Sequence, residues 1–172
     1  YAEAHNNLGV TLQNLGQFDI AVKSYEKALA IQPDYAEAFN SLGSALKELG
    51  QLDTAVKSYE KVLAVKPDFA EAHYNLAVTL QGLDQLDAAV KSYEQALAIK
   101  PDFAEAHYNL GVTLQELGQL EEAVESYVAA LDIKPDYAEA FNNLGIVLKE
   151  LGQLDTAVKS YEKVLAIKPD FA

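Results

Sequence analysis

Residues 33–38 read Pro33-Asp34-Tyr35-Ala36-Glu37-Ala38, and this stretch decides the fold because it returns at a fixed interval. Pro67-Asp68-Phe69-Ala70-Glu71-Ala72 follows, then Pro101-Asp102-Phe103-Ala104-Glu105-Ala106 and Pro135-Asp136-Tyr137-Ala138-Glu139-Ala140. Pro169-Asp170-Phe171-Ala172 opens another copy, and Tyr1-Ala2-Glu3-Ala4 is the tail of an earlier one. Successive prolines stand 34 residues apart. A strict period of this size marks a repeat array, in which no single unit is large enough to bury its own apolar face. The reading is one repeat domain over 1–172: five copies at about 1–34, 35–68, 69–102, 103–136 and 137–170, and the start of a sixth at 171–172.

Between the joints the apolar residues keep helical spacing. Ala4, Leu8, Leu12 and Leu15 predict a helix over 2–15, Gly16 interrupts, and Phe18, Ala21, Val22, Tyr25, Ala28, Leu29 and Ile31 predict a second over 18–31. Proline then stops the chain, because it has no amide hydrogen and clashes with the preceding turn. Two antiparallel helices on short connections form a hairpin. At each joint the aspartate is expected to cap the next helix, with the glutamate three residues on closing a capping box: Asp34 with Glu37, Asp68 with Glu71, Asp102 with Glu105, Asp136 with Glu139.

Small residues divide into two sets. Gly16, Gly50, Gly118 and Gly152 fall in the turn inside each hairpin and predict positive φ there, with Asp84 in that place in the third copy. Gly9, Gly43, Gly111 and Gly145 fall inside the first helix, where glycine costs about 1 kcal/mol against alanine, so their use predicts close approach of the paired helix. Ala77 takes that place in the third copy. Tyr25, Tyr59, Tyr93, Tyr127 and Tyr161 repeat beside small Ala21, Ala55, Ala89, Ala123 and Ala157, as a core column would.

The formal net charge of -13 lacks the basic stripe that nucleic acid requires, and it disfavours an anionic membrane surface. Acid is densest in the fourth copy: Glu105, Glu116, Glu121, Glu122, Glu125, Asp132 and Asp136 face Lys134 alone. Cysteine is absent, which excludes disulfides and thiol chemistry. No apolar run approaches the roughly 18 residues of a membrane helix. The chain opens on Tyr1, so it reads as a segment of a longer product whose own targeting is out of view; a cytoplasmic location is expected.

The spacing of Leu8-Gly9, Ala21, Tyr25, Ala28 and Pro33, with its later copies, resembles the tetratricopeptide repeat family. Its members often carry tryptophan where His5, Phe39, His73, His107 and Phe141 stand here. The resemblance implies an all-α fold, a right-handed superhelical solenoid of antiparallel helix-turn-helix repeats, whose first helices line a concave groove for a peptide or protein segment. By matching positions that groove would hold Asn6, Asn40, Tyr74, Tyr108 and Asn142, then a ladder of Asn7, Ser41, Asn75, Asn109 and Asn143. The asparagine series is also similar to the repeat region of protein O-linked N-acetylglucosamine transferases, whose ladder holds extended backbone. Nothing in these residues resembles that family's catalytic domain.

An asparagine amide both donates and accepts, so such a row can satisfy an extended backbone without reading side chains; the same amides can equally link one repeat to the next. The positions where related domains use lysine and arginine to clamp a terminal carboxylate hold none here, which favours a neutral or basic segment. His5, His73 and His107 occupy the same place in different copies, and stacking would separate them by a repeat width; they read as packing residues, not zinc ligands. No nucleophile–base pair or phosphate-binding glycine loop is present, so no intrinsic enzyme, cofactor or metal is expected. The readings left are an interaction scaffold, the substrate-recognition part of a larger transferase, or a structural solenoid with weak head-to-tail self-association through its end faces.

Overall fold

The computed structural model describes residues 1–168. Every described element is a helix: α1 (Ala2–Asn14), α2 (Phe18–Ile31), α3 (Ala36–Glu48), α4 (Leu52–Val65), α5 (Ala70–Gly82), α6 (Leu86–Ile99), α7 (Ala104–Glu116), α8 (Leu120–Ile133), α9 (Ala138–Glu150) and α10 (Leu154–Ile167). The predicted spans hold, except that the first helix ends at Asn14 and Leu15 is its C-cap. The opening of a sixth copy, at 171–172, lies outside the described residues. No helix among the described residues is long and apolar enough to cross a membrane.

The chain falls into two compact units, Tyr1–Ser92 and Tyr93–Ala172, divided within α6. In the first, α1 pairs with α2 and α3 with α4; α2 packs on α3, α4 on α5, and the first helices α1, α3 and α5 touch in sequence. In the second, α7 pairs with α8 and α9 with α10, α8 packs on α9, and α7 touches α9.

The turn inside each hairpin follows the prediction. Gly16, Gly50, Gly118 and Gly152 have φ between 72 and 75, and Asp84 takes φ 59 in the third copy. The residue after each glycine, such as Gln17, returns its N–H to a carbonyl in the last turn of the first helix, Leu12 O at 2.9 Å. That bond helps to satisfy the carbonyls of the helix end.

The joints correct one expectation. The capping residue is the aromatic, not the aspartate: Tyr35, Phe69, Phe103 and Tyr137 are the N-caps of α3, α5, α7 and α9, with no side-chain cap bond. Asp34 sits one residue too early because it is spent in a turn, Gln32-Pro33-Asp34-Tyr35, closed by Tyr35 N–H to Gln32 O at 3.3 Å. Proline occupies the second place of that turn, which its fixed φ suits. Gln32, just ahead of it, is pushed to extended backbone, φ -131 and ψ 92, as a residue before proline must be. Glu37 therefore stands in the second helical position, where it still faces the positive helix end but closes no capping box.

The joint has its own chemistry instead. Lys66 Nζ lies 4.7 Å over the Phe69 ring, Lys100 lies 4.5 Å over Phe103, and Lys134 lies 4.5 Å over Tyr137. Such contacts contribute about 0.5–1 kcal/mol at exposed sites. The first joint has Gln32 in the place of the lysine.

The core is the tyrosine column. Tyr25, Tyr59, Tyr93 and Tyr127 are fully buried among Ala21, Ala28, Ala55, Val62, Ala89, Ala96, Ala123 and Ala130. The close approach predicted at the helix-interior glycines is present: a Cβ on Gly9 would lie 2.5 Å from Tyr25 Cε1, and one on Gly43 would lie 2.7 Å from Tyr59 Cε1. Each ring fills the space that the missing methyl leaves open.

Candidate functional site

The residues singled out on the first helices stand at two neighbouring positions of each repeat and so point in different directions. Helical geometry sets this, since residues one apart diverge by about 100°. In the first unit the Asn75 amide on α5 donates to Asn40 Oδ1 on α3 at 3.2 Å. In the second, the Asn143 amide on α9 donates to the Tyr108 hydroxyl on α7 at 3.2 Å. The rule is the same in both: a ladder residue bonds the residue of the other row one repeat earlier.

The third such pair is Ser41 with Asn6, and there the ladder residue is too short. Asn6 is buried and its Oδ1 makes no direct hydrogen bond. Ser41 lies instead beside the Tyr25 hydroxyl, whose pKa burial raises and Ser41 partly restores. Asn7 is exposed, while Tyr74 and Asn109 are half-buried. Gln13 on α1 donates to Ser44 Oγ on α3 at 3.1 Å, a cross-repeat contact the sequence reading did not foresee.

Beside the Asn143–Tyr108 bond lies a cavity of about 270 Å³ lined by Tyr108, Ala138, Glu139, Asn142, Asn143, Val164 and Lys168. Tyr108 forms one wall. Its ring is 4.9 Å from that of Tyr137 and 6.0 Å from that of Tyr127, so its orientation is held on two sides. Burial raises its pKa, and the Asn143 amide acts in the opposite sense. The Asn142 amide reaches Asn143 Oδ1 at 3.4 Å. At the rim Lys168 donates to Glu139 and, by that bond, holds its carboxyl below the usual range.

Other candidates resolve into structure. His73 Nε2 donates to Pro67 O and His107 Nε2 to Pro101 O, both at 3.0 Å, tying first helices to the joints before them. Among the described residues no group of three or more His, Asp or Glu side chains is placed to hold a metal ion. The acids of α8 stand on an exposed face.

A TPR repeat model matches residues 43–84, 82–118 and 114–152, and tetratricopeptide repeat models match 2–35, 24–57 and 138–171. The crystal structure of MamA is similar at 29% identity and a TM-score of 0.89, covering 94% of this chain and 94% of MamA. A MamA segment from Desulfovibrio magneticus RS-1 reaches a TM-score of 0.91 at 25% identity, with 99% and 96% covered. YrrB, described as a TPR protein with an unusual peptide-binding site, shares the fold at a TM-score of 0.83 and 24% identity, with 99% and 88% covered. No curated protein sequence matches the chain.

Proposed function

The chain belongs to the tetratricopeptide repeat family, and from that premise we propose that it is an interaction scaffold holding an extended peptide or protein segment along its first helices. The observation that carries this is the pair of held amides, Asn75 fixed on Asn40 in the first unit and, in the second, Asn143 fixed on Tyr108 beside an open cavity. An amide has two N–H groups and two lone pairs, so one bond to a neighbour leaves capacity for a ligand backbone. Fixing the amide in advance removes part of the ordering cost of binding. YrrB, with the same fold, offers the precedent of a peptide-binding site.

The net charge of -13 attracts basic segments to the protein, admits neutral ones and repels acidic ones. The matched models describe the repeat at large. The likeness to the transferase subgroup rests on the asparagine series, the Pro-Asp-Tyr-Ala-Glu-Ala joint and the leucine–glycine spacing, and the scaffold reading does not depend on it.

An unbiased peptide-library binding screen tests the reading, with Tyr108→Ala and Tyr74→Ala as controls. The expected result is enrichment of neutral or basic peptides that bind the parent and bind the Tyr108 variant at least tenfold more weakly. Enriched peptides that bind all three proteins equally would overturn the reading, as would a screen that enriches none.

A further inference from the structure

We infer that Asn40 and Tyr108, rather than the ladder residues Asn75 and Asn143, read the bound segment, and that they do so by donating to its main-chain carbonyl groups. This rests on the scaffold reading and names the ligand group that the face takes.

The direction of each hydrogen bond decides which atoms remain for a ligand. Between α3 and α5 the Asn75 amide is the donor and Asn40 Oδ1 the acceptor, at 3.2 Å. The Asn40 oxygen is thereby engaged, whereas its own N–H groups have no acceptor among the described residues. Between α7 and α9 the Asn143 amide is the donor and the Tyr108 hydroxyl oxygen the acceptor, again at 3.2 Å. A hydroxyl that accepts a bond still carries its proton, and among the described residues that proton has no acceptor either. Asn6 on α1 keeps the same orientation: its Oδ1 is the buried atom, and Ser41 is too short to reach it. In all three repeats the oxygen of this row is committed to the repeat junction, and hydrogens are what it can offer. A ligand atom that meets them must be an acceptor.

Tyr108 is the better-built donor of the two. The Asn142 amide reaches Asn143 Oδ1 at 3.4 Å and the Asn143 amide reaches Tyr108, so each bond polarises the next and the Tyr108 O–H stands last in the chain. Its ring lies 4.9 Å from that of Tyr137 and 6.0 Å from that of Tyr127, which fixes the hydroxyl before a ligand arrives. A carboxylate acceptor is disfavoured there. Burial and then the negative charge of Glu139 both raise the Tyr108 pKa, and the whole chain carries -13. An uncharged carbonyl meets no such opposition. The donor recurs on different side chains in separate repeats, which suits a group that recurs along the ligand, as a main-chain carbonyl does.

The probe is the tightest-binding neutral peptide from the library screen, with affinities read by isothermal titration calorimetry. Tyr108→Phe keeps the ring and loses the hydroxyl, and is expected to weaken binding about fivefold. Asn40→Asp can still accept from Asn75 but has no amide to donate, and is also expected to bind more weakly. Both variants are expected to keep the helical circular dichroism of the parent. Replacing each peptide side chain by alanine in turn is expected to leave the Tyr108→Phe factor unchanged, because a main-chain carbonyl survives the exchange. A peptide that loses affinity for Tyr108→Ala but not for Tyr108→Phe leaves the scaffold reading in place and overturns the inference. Tighter binding of the neutral peptide by Asn40→Asp does the same, since it would make the row an acceptor of ligand N–H. So does a Tyr108→Phe factor that one alanine abolishes, which would assign the contact to a side chain. A screen that enriches no peptide overturns the scaffold reading and the inference together.

Discussion

Gly111 and Tyr127 occupy one space between them: a Cβ on Gly111 would lie 2.7 Å from Tyr127 Cε1 and 2.8 Å from Cδ1. The ring cannot slide away, because its hydroxyl donates to Gln115 Oε1 at 3.0 Å and every side of it is buried. Gly111→Ala is expected to lose about 1–3 kcal/mol to overpacking and to regain about 1 kcal/mol in helix propensity. With three ring atoms within 3.1 Å the cost falls toward the upper end, and the net is a loss of up to about 2 kcal/mol, read as a lower urea midpoint with the slope of the transition unchanged.

Gly118, in the same hairpin, is a different kind of glycine. Nothing lies within 4 Å of a Cβ built there, but its φ is 75. Gly118→Ala is expected to cost about 1–2 kcal/mol through backbone strain alone. Gly118→Asp should cost less, since Asp84 holds φ 59 at the same place. Equal losses for the two variants in urea unfolding would refute this account.

Tyr59 lacks the glutamine acceptor of its counterparts. Tyr25 and Tyr127 donate to Gln13 and Gln115, but the second repeat has Lys47 at that place, and an ammonium group cannot accept. The Tyr59 hydroxyl is buried without a direct hydrogen bond. Tyr59→Phe is therefore expected to be neutral or stabilising by about 1 kcal/mol, whereas Tyr127→Phe should lose about that much. Lys47→Gln should stabilise by restoring the acceptor. Thermal or urea unfolding of the three variants reads all of this.

Burial also raises the Tyr59 pKa, with Glu48 adding in the same sense and the Thr79 hydroxyl only partly opposing it. A group whose folded pKa is raised contributes its stability in full below its unfolded value, about pH 10 for tyrosine. That contribution is lost as pH climbs toward the folded value, at about 1.4 kcal/mol per pH unit. Stability should fall with pH above about 10, and Tyr59→Phe should fall less steeply. Urea midpoints taken between about pH 9 and 11 compare the slopes.

Glu139 is held below the usual carboxylate range, first by its hydrogen bond from Lys168. With a lowered folded pKa, its contribution is present above the unfolded value and fades as pH falls through the folded one. The pair is largely exposed, so salt should weaken it. Carboxyl titration by NMR is expected to place Glu139 below the ordinary glutamate value, with the depression reduced by Lys168→Met.

Much of this fold was legible because each signal was local and occurred several times. The 34-residue period, the hairpin turns and the glycine–tyrosine contacts all follow from residue type at fixed spacing. The capping error at Asp34 has the same origin. Spacing alone shows an aspartate three residues before a glutamate, but not that a turn from Gln32 to Tyr35 has already consumed it. The lysines over Phe69, Phe103 and Tyr137 carry a signal in the recurring Lys-Pro-Asp-aromatic run, of which the sequence reading uses the proline and the aspartate but not the lysine. On the candidate face, sequence placed the asparagines but could not assign their partners. Whether Asn143 meets Tyr108 depends on how two helices cross, and a single chain of letters does not contain that angle.

The helix starts for which a cap is defined, α1 to α5 and α7 to α10, receive no side-chain cap, and each is ordered by a turn and by what lies beside it. A helix of 13 or 14 residues on those terms is marginal alone. A hairpin cut from this chain should therefore be mostly unfolded, while adding a copy should raise the melting temperature of all the others. Copy number, rather than any one copy, is the variable on which this protein's stability depends.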